Sequence, residues 1–408
     1  MKRRNRKCGS WDRKWREADA SLIHNRYHVG YGRWKEFWDR KAAIYDYHQG
    51  DDGRGQDEVV AYLIREGLFH PGDRVLDVGC GPGTYTLSFH DLAEDVWGMD
   101  ISGSMLKLLT VKAEESGVRN IRTVLSSWES FAASEPFDLV FSSFCPAIRS
   151  ATTLLKMERC SHRGCCYLTG GTIGQPGPMA ELHEMLTGRR YSVNGSGGFF
   201  SANVLFEAGR RPDIRPFRVN QHRYQDRAWM EQTYLDYFGM FLDQSEVARS
   251  KIRQFVDMLP QEEPEDDGIY RAFYAVTWLV PGSHQGEADL GSFLLQEGLV
   301  GPGGRALDAS RTSILKKGGG FGIERGLLSS TPADMFDLVL APPFHNHSGI
   351  DRAEMAASQY CGVICREMAA PRLFNMLYDN GREPGVKFGL REGHALVWWP
   401  LKPGNRCD

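Results

Sequence analysis

The feature that most constrains the fold is a glycine-rich turn, which follows the apolar run Val75–Val78 and contains Gly79, Gly81 and Gly83. Glycine adopts backbone conformations that other residues avoid, and without a Cβ it lets a ligand approach the main chain. Helix-forming residues follow from Tyr85, so the turn leads into a helix N-terminus, where free N–H groups can bind a polar ligand. We therefore predict a strand–turn–helix unit with a ligand site at the turn.

Strands and helices alternate along the residues around this turn. The sequence predicts strands at Arg74–Val78, Val96–Met99, Ile121–Leu125, Phe137–Ser142 and Gly164–Thr169. It predicts helices at Val59–Leu68, Tyr85–Leu92, Ser102–Ser116 and Thr153–Glu158. Strands with nearly continuous apolar runs are typical of a parallel sheet that is covered on both faces. The pattern therefore predicts an α/β fold with a mostly parallel sheet and helices on both faces.

An acidic residue ends the strand that follows the turn. Asp100 lies 17 positions beyond Gly83, which is where a ribose hydroxyl pair needs a hydrogen-bond acceptor. A glycine motif alone is a weak signal, but its position between a strand and a helix, together with Asp100, favours a nucleoside-containing ligand.

The run V-L-D-V-G-C-G-P-G-T resembles motif I of class I S-adenosylmethionine (SAM)-dependent methyltransferases. The resemblance implies a Rossmann-like, seven-stranded sheet and a SAM site. It implies that Asp77, Gly79 and Gly81 surround the methionine part of SAM, that Asp100 holds the ribose, and that Ile101 lies against the adenine. The cofactor-binding residues expected from it are Asp77, Gly79, Cys80, Gly81, Gly83, Asp100, Ile101, Trp128 and Ser142.

Two of these assignments come from later motifs. Ser127 stands where such families often have Asp, so only the neighbouring Trp128 carries over as an adenine contact. The strand Phe137–Ser142 resembles motif IV, whose end faces the methyl group, so Ser142, Ser143, Phe144 and Cys145 are expected to form walls of the reaction site.

Methyl transfer is an in-line displacement, so the enzyme mainly aligns the nucleophile and excludes water. An O–H, N–H or S–H acceptor also needs a base. Candidate catalytic residues are Tyr45, His48 and Cys145. Tyr45 and His48 lie in an aromatic, basic N-terminal segment, residues 1–56, which is expected to form a helical arm that closes over SAM as a lid, although packing alone is an equally good interpretation.

The methyltransferase domain is expected to span residues 57–282, with a helical insert at 178–260 that covers the acceptor site. Within this insert, candidate contacts to a polar acceptor are His183, Arg189, Arg190, Tyr191, His222 and Tyr224. Isolated polar residues of this kind are more often simply exposed at the surface.

Part of the chain is repeated. Residues 293–308 match residues 62–77 at nine of 16 positions without a gap, and Phe336–Val339 repeats Phe137–Val140. We interpret residues 283–408 as a shortened, degenerate second copy of the module, with a role in acceptor binding, dimerisation or regulation. After Asp308 the glycines are replaced by Ala309-Ser310-Arg311-Thr312, so we expect no SAM in this copy.

Composition excludes several other classes of protein. The net charge of -3 gives no basis for nucleic-acid binding, and no stretch is long and apolar enough to span a membrane. The basic run at the N-terminus is not followed by an apolar segment, and there are nine cysteines, an odd number. We therefore expect a cytoplasmic protein with reduced thiols.

Four side chains in the last quarter of the sequence are candidate metal ligands. His345, His347, Cys361 and Cys365 offer nitrogen and sulfur ligands, and the four-residue spacing would place both thiols on one face of a helix. The spacing matches no standard zinc pattern, so the sequence predicts no metal.

These observations predict a SAM-dependent methyltransferase that acts on a small molecule and yields S-adenosylhomocysteine (SAH), with SAM as cofactor and a homodimer as one possible assembly. Two alternatives remain open at this point: a SAM-binding sensor or scaffold without turnover, and a methyltransferase for protein or RNA.

Overall fold

A computed structural model describes residues 9–45, 54–170, 178–189, 197–219, 227–259, 271–283, 289–310, 322–325, 336–341, 353–355, 357–379, 381–390 and 393–401. The chain divides into two compact units. Unit 1 comprises Met1–Ala208 and Phe217–Ser283, and unit 2 comprises Gly209–Pro216 and His284–Asp408.

Unit 1 contains the predicted parallel sheet. Its strands are β1 (Arg74–Val78), β2 (Asp95–Asp100), β3 (Ile121–Leu125), β4 (Phe137–Ser143), β5 (Ser161–Gly170), β7 (Arg271–Leu279) and the part of β6 (Asp213–Val219) from Phe217 onward. They lie in the order β3-β2-β1-β4-β5-β7-β6. Strands β1 to β5 pair in parallel, and β7 pairs with β5 in the antiparallel direction. This is a Rossmann-like sheet with one reversed strand near its edge.

Unit 1 has twelve described helices. They are α1 (Ser10–Ser21), α2 (Ile23–Arg26), α3 (Tyr31–Tyr45), α4 (Arg54–Arg65), α5 (Thr86–Phe89), α6 (Gly103–Glu115), α7 (Ala151–Leu154), α8 (Lys156–Cys160), α9 (Pro178–Thr187), α10 (Gly197–Glu207), α11 (Arg227–Phe238) and α12 (Glu246–Met258).

Apolar periodicity explains how the first helix of the domain packs on the sheet. Val59 and Leu63 lie one turn apart on α4, and both are completely buried against residues of β1 and β4. The helix ends before Gly67, whose φ of +64° is a left-handed conformation that favours glycine. The chain can therefore turn back into β1 and bring the glycine turn to the carboxyl edge of the sheet.

Unit 2 has its own sheet and core. Its strands are β8 (Arg305–Asp308), β9 (Gly322–Arg325), β10 (Phe336–Ala341), β11 (Ala357–Arg366), β12 (Gly385–Leu390) and β13 (His394–Pro400), and Ile214 of β6 pairs with Val386 of β12. The order is β6-β12-β13-β11-β10-β8-β9. Strands β8 to β11 pair in parallel, and β13 is antiparallel to both β11 and β12. Helices α13 (Leu290–Gln296) and α14 (Ala370–Asp379) belong to this unit.

Three expectations differ from the structure. The seven strands predicted account for unit 1, whereas the described residues of the whole chain contain 13. The segment 178–260 is not entirely helical, because β6 lies within it and part of β6 belongs to unit 2. Cys361 and Cys365 lie on strand β11 and not on a helix, because the surrounding apolar and aromatic residues form a buried strand between β10 and β13.

Among the described residues, no helix is both long and apolar enough to cross a membrane.

Candidate functional site

The three glycines of the turn meet two different structural requirements. Gly79, Gly81 and Gly83 have φ values of +73°, +55° and +92°, which strain any residue with a Cβ. A Cβ on Gly79 would lie 2.6 Å from Cys145 Sγ, and one on Gly83 would collide with Leu109 of α6. A Cβ on Gly81 would meet nothing within 4 Å. Two glycines therefore permit close packing, and Gly81 leaves space in front of the turn.

Asp100 fastens the turn to the end of β2. Its Oδ2 accepts a hydrogen bond from Gly81 N at 3.0 Å, and its Oδ1 accepts one from Ser102 N at 2.8 Å. Burial raises the pKa of the Asp100 carboxyl, although the hydrogen bonds from Ser102 and Gly81 oppose this shift. Each carboxylate oxygen can accept about two hydrogen bonds, so Asp100 retains acceptor capacity.

Asp77 is directed away from the space in front of the turn. Its side chain is buried, and its Oδ2 accepts a hydrogen bond from Thr86 Oγ1 at 2.7 Å. Burial raises the pKa of the Asp77 carboxyl to about 7, despite the opposing hydrogen bond from Thr86. Asp77 therefore connects the end of β1 to the start of α5, a supporting position rather than the direct contact that the sequence predicts.

A cavity of about 770 Å³ lies in front of the glycine turn. Of the residues expected to bind the cofactor, Gly79, Gly81, Asp100, Ile101 and Trp128 line this cavity. Asp77, Cys80, Gly83 and Ser142 are not among its lining residues. Ser142, for example, is buried and donates its hydroxyl to Val78 O at 2.9 Å, because it lies within paired strands and faces β1.

Trp128 lies close to the end of β2, because the residues that follow β3 are hydrogen-bonded to it. Ser126 N donates to Asp100 O at 3.0 Å, which places residues 126–129 beside Asp100. The Trp128 ring is almost completely buried, and its Nε1 donates to Thr153 O at 2.9 Å. Ile101 and Met105 line the same cavity. The cavity thus has an apolar wall next to the Asp100 carboxylate.

The N-terminal helices provide much of the remaining wall. The lining residues from this segment are Trp15, Ala18, Asp19, Leu22, His24, Asn25, Val29, Tyr31, Trp34 and Trp38. The sequence predicts contacts from the end of the arm, at Tyr45 and His48, whereas the arm residues that line the cavity lie between positions 15 and 38. Tyr45 ends α3, and His48 lies outside the described residues, so their catalytic assignment stays a prediction.

Acidic side chains attach these helices to the rest of unit 1 by capping helix N-termini. Asp39 of α3 accepts hydrogen bonds from Ser102 Oγ at 2.6 Å and Ser104 N at 3.2 Å, at the start of α6. Burial alone would raise the pKa of Asp39, but hydrogen bonds from Lys35, Ser102 and Ser104 lower it to about 2. A carboxylate at a helix N-terminus is favourable because free N–H groups and the helix dipole both attract it.

Two further carboxylates act in the same way. Asp12 of α1 is buried and accepts a hydrogen bond from Ala151 N at 2.6 Å, at the first residue of α7. Glu207 of α10 accepts hydrogen bonds from Ser10 N at 2.8 Å and Trp11 N at 3.2 Å, at the start of α1. The arm is therefore held over the cavity by specific contacts from both of its ends.

A polar group lies among the aromatic residues of the arm. His24 Nδ1 lies 3.1 Å from Tyr237 Oη, and Arg149 lies 3.9 Å from the Asp19 carboxylate. Burial, and after it the positive charge of Arg149, lower the pKa of His24 to about 4. Burial raises the pKa of Asp19, with Arg149 opposing. His24 is therefore a neutral imidazole at physiological pH.

Cys145, the third catalytic candidate, lines the cavity next to Gly79. Burial raises the pKa of its thiol to about 12, with only partial opposition from a backbone hydrogen bond at Ala147. A thiol that stays protonated at neutral pH is a poor base and nucleophile. Its position favours a role as a wall of the cavity.

The insert contributes differently from the expectation. Gly197 and Phe200 of α10 line the cavity. His183 is buried and does not line it, since its Nε2 lies 3.3 Å from Tyr27 Oη and its Nδ1 lies 3.1 Å from Arg189 O. The other candidates from the insert, Arg190, Tyr191, His222 and Tyr224, lie outside the described residues.

No group of three or more His, Cys, Asp or Glu side chains in the described part of the chain is placed to hold a metal ion. Cys361 and Cys365 are four residues apart on a strand, and this spacing separates their Cα atoms by about 13 Å. His345 and His347 lie outside the described residues.

Residues 75–162 match the family model for a methyltransferase domain. The chain is 27% identical to the uncharacterized methyltransferase YcgJ of Bacillus subtilis over 110 residues, which are 25% of this chain and 44% of that protein. It is 29% identical to the ribosomal protein L11 methyltransferase of Thermus thermophilus over 120 residues, which are 29% of this chain and 47% of that protein. The matches thus span less than half the length of these curated relatives.

Among solved structures, the magnesium protoporphyrin IX methyltransferase of Synechocystis, crystallised with bound SAH, aligns with a TM-score of 0.36 and 16% identity. The alignment covers 63% of this chain and 98% of that one. On the family match, the glycine motif and the strand order together, residues 75–162 belong to a methyltransferase domain of the class I family, whose cofactor is S-adenosylmethionine.

Proposed function

We propose that this protein transfers a methyl group from SAM to a small-molecule acceptor and releases SAH. The observation that carries the proposal is the cavity of about 770 Å³, which the glycine turn and Asp100 share with the aromatic residues of α1 to α3. This volume lies within the range of roughly 300–1,000 Å³ that is typical of small-molecule sites. Donor and acceptor would thus occupy one covered space.

The residues present fit SAM. Gly81 leaves more than 4 Å of open space where a Cβ would stand, so a ligand can touch the main chain there. Asp100 keeps acceptor capacity for ribose hydroxyls, and Ile101 and Trp128 offer apolar surface for the adenine. When bound, SAM supplies a methyl group on a positively charged sulfur. Aromatic faces such as Trp34 suit a positive charge nearby.

The chain itself would contribute alignment and exclusion of water. Asp39 holds α3 to the start of α6, and Asp12 holds α1 to the start of α7. These contacts keep the arm residues in the wall of the cavity and limit the entry of water. Alignment of this kind is the main source of rate enhancement in an in-line displacement. A cavity of this volume, walled by the arm helices, favours a small acceptor over a protein or RNA segment, which needs an extended groove.

Calorimetry with the full chain tests the SAM site. We expect one SAM per chain, and Asp100→Asn should weaken binding at least about tenfold, which corresponds to roughly 1.4 kcal/mol. The matched control is Asp95→Asn at the opposite end of β2, where the side chain contacts Trp97 and Arg122. Unchanged affinity in Asp100→Asn would remove the ribose assignment.

A labelling experiment tests turnover and the acceptor class together. The protein is incubated with methyl-labelled SAM and a cell extract, which is then separated into small-molecule and macromolecular fractions. We expect the label in the small-molecule fraction. Label in protein or RNA would support the macromolecular alternative, and SAM binding with no SAH from any fraction would support a sensor without turnover.

We propose in addition that unit 2 is a shortened copy of the module in unit 1. Matched backbone contacts support this. Arg74 N donates to Asp138 Oδ2 at 2.9 Å, and Arg305 N donates to Asp337 Oδ2 at 2.9 Å. Each arginine also lies over the phenylalanine that precedes the aspartate, at 5.2 Å and 4.8 Å from the ring centroid.

Register and strand order support the same proposal. Leu76 pairs with Val140 across β1 and β4, and Leu307 pairs with Val339 across β8 and β10. The order β9-β8-β10-β11-β13-β12 matches the order β2-β1-β4-β5-β7-β6, with no counterpart of β3 among the described residues. A count of two SAM molecules per chain in the calorimetry would contradict the expectation that this copy binds none.

A further inference from the structure

His24 is a cavity-lining histidine with one ring nitrogen in contact with a tyrosine. It lies on α2 between the two longer arm helices and lines the cavity. Its Nδ1 is held by Tyr237 Oη at 3.1 Å, and its ring packs edge-on against Trp34 with 4.8 Å between centroids. In the described part of the chain Nε2 has no hydrogen-bond partner, and it is not one of the buried unpaired atoms. Nε2 is therefore accessible.

The ring nitrogens have distinct roles in this arrangement. If Nδ1 carries the proton and donates to Tyr237 Oη, Nε2 keeps its lone pair and can only accept. The low pKa of His24 keeps the imidazole neutral above about pH 4. The charged and titratable groups that line the cavity around α2 are Asp19 on α1, Tyr31 on α3 and Arg149 after β4.

The surroundings indicate which acceptor would fit. Flat aromatic rings line the cavity: Trp34 and Trp38 are stacked at 6.4 Å, and Trp15 is stacked on Phe200 at 6.5 Å. Such walls favour a planar ring over a flexible polar chain. The positive charge of Arg149 acts on the same region, since it lowers the pKa of His24. Arg149 is paired with the Asp19 carboxylate at 3.9 Å, so an uncharged phenol adds no unpaired charge to this wall, whereas an ammonium would.

We infer that His24 is a catalytic residue, which in its Nδ1–H tautomer accepts the phenolic proton of an aromatic hydroxy compound through Nε2, and that Tyr237, which then accepts from Nδ1, is the positioning residue that orients its ring. This inference rests on the proposed methyl-transfer function. The new C–O bond forms as the S–CH₃ bond breaks, the electron pair of that bond stays on sulfur, and the phenolic proton moves to Nε2. A weak base is sufficient, because the oxygen becomes strongly acidic as the methyl group is transferred.

Nuclear magnetic resonance of the full chain with ¹⁵N-labelled histidine tests the contact without turnover. The probe is para-cresol, added to the protein saturated with SAH. We expect His24 to be protonated on Nδ1 and its Nε2 signal to shift saturably with para-cresol. Tyr237→Phe should lose the tautomer preference. Tyr27→Phe, which removes the Tyr27–His183 contact of 3.3 Å outside the cavity lining, should leave the His24 signals unchanged.

Turnover of the same probe with SAM provides the second measurement. We expect formation of the methyl ether of para-cresol, a loss of roughly 100-fold or more in kcat for His24→Asn, and unchanged calorimetric affinity for SAM. The control is His162→Asn, since His162 contacts Asp138 at 3.0 Å and does not line the cavity.

Three results would overturn the inference while the SAM site stands: an Nε2 signal that para-cresol does not move although SAH binds, equal turnover in His24→Asn, and methylation of benzylamine in place of the phenol. Failure to bind SAM or SAH at all would instead refute the proposed function.

Discussion

The two units share the residues that lead into the turn and differ in how the chain leaves it. In unit 1, Gly79 N and Cys80 N both donate to Met99 O on β2, at 2.8 and 3.0 Å. In unit 2, Ser310 stands two positions after Asp308, as Gly79 does after Asp77, and its N–H donates to Asp308 Oδ1 at 3.1 Å. The glycine turn is therefore hydrogen-bonded to the neighbouring strand β2, whereas the matching residue of unit 2 is hydrogen-bonded to the aspartate of its own strand.

The aspartates at the ends of β1 and β8 differ accordingly. Asp77 accepts a hydrogen bond from Thr86, nine positions further along and already in the next helix. Asp308 accepts hydrogen bonds from the N–H and the hydroxyl of Ser310, two positions further along. Ala309 and Ser310 are both buried. The same lead-in is thus followed in unit 1 by three glycines with positive φ, which form the cradle, and in unit 2 by Ala309 and Ser310, which do not have positive φ.

Removal of a matched core side chain should have the largest effect. Leu76 and Leu307 are 0% and 2% exposed, at matching register positions in the two sheets. We expect Leu76→Ala and Leu307→Ala each to destabilise the unit that contains it by roughly 2–5 kcal/mol, through lost burial and a residual cavity. Denaturant unfolding with and without SAH measures this. Only Leu76→Ala should also weaken SAM binding. A large loss of SAM affinity in Leu307→Ala would contradict this difference between the two units.

The next largest effect is expected when a side chain is added to a glycine that has free space around it. Gly81 and Gly303 have φ of +55° and +74°, and an added Cβ meets nothing within 4 Å at either position. The backbone strain is therefore similar in the two variants. Gly81→Val should lower SAM affinity roughly 100-fold, about 2.7 kcal/mol, because the side chain enters the cavity. Gly303→Val should leave the calorimetric affinity unchanged, and an equal loss in both would show that strain alone is responsible.

The buried Asp77 should make the stability of unit 1 depend on pH. Its folded-state pKa of about 7 exceeds the unfolded value of 3.8, so the folded state binds the proton more tightly. The corresponding stability is present below about pH 4 and is lost as pH rises to about 7, by on the order of 1 kcal/mol per pH unit. Asp77→Asn should flatten this dependence in urea unfolding between pH 4 and 7. A parallel curve for the variant would contradict the assignment.

The second residues of β4 and β10, Asp138 and Asp337, should show the smallest difference in their effect on stability. Asp138 accepts hydrogen bonds from Arg74 N and, at 3.1 Å, from the Arg163 guanidinium. His162 Nε2 also lies 3.0 Å from Asp138, whereas Asp337 accepts from Arg305 N at 2.9 Å and from Gln359 Nε2 at 3.5 Å. Asp138→Ala should cost roughly 1–3 kcal/mol and Asp337→Ala about 1 kcal/mol, because more donors lose their partner in unit 1. Chemical denaturation provides the values, and the reverse order would contradict this account.

The parallel core was predictable in detail. The bounds of β1 and β3 agree with the sequence prediction. For β1 the reason is that a short apolar run of this length has few other ways to be buried. Strand β6 was missed because Pro216 within it argues against a strand, and its partners lie far away in the chain. The helical assignment of Cys361 and Cys365 was wrong because their spacing of four fits one face of a helix and one face of a strand equally well.

The candidate site was predictable where it depends on local motifs. Gly79, Gly81 and Asp100 line the cavity as expected. The sequence does not single out His24 or Asp39, because one His or Asp within a helical segment carries no local signal of a cavity wall or a helix cap. Both acquire their surroundings from residues far along the chain.

The sequence by itself determined the strand–turn–helix unit, the acidic residue at the end of β2 and the repeated lead-in, because each is recognised from short runs of residues without any tertiary contact. Only the tertiary structure decided which side chains surround the cavity. The contact between His24 and Tyr237 joins residues 213 positions apart, and that between Asp12 and Ala151 joins residues 139 apart. Periodicity indicates that a helix buries one face, but the partner of that face depends on the packing of the whole unit.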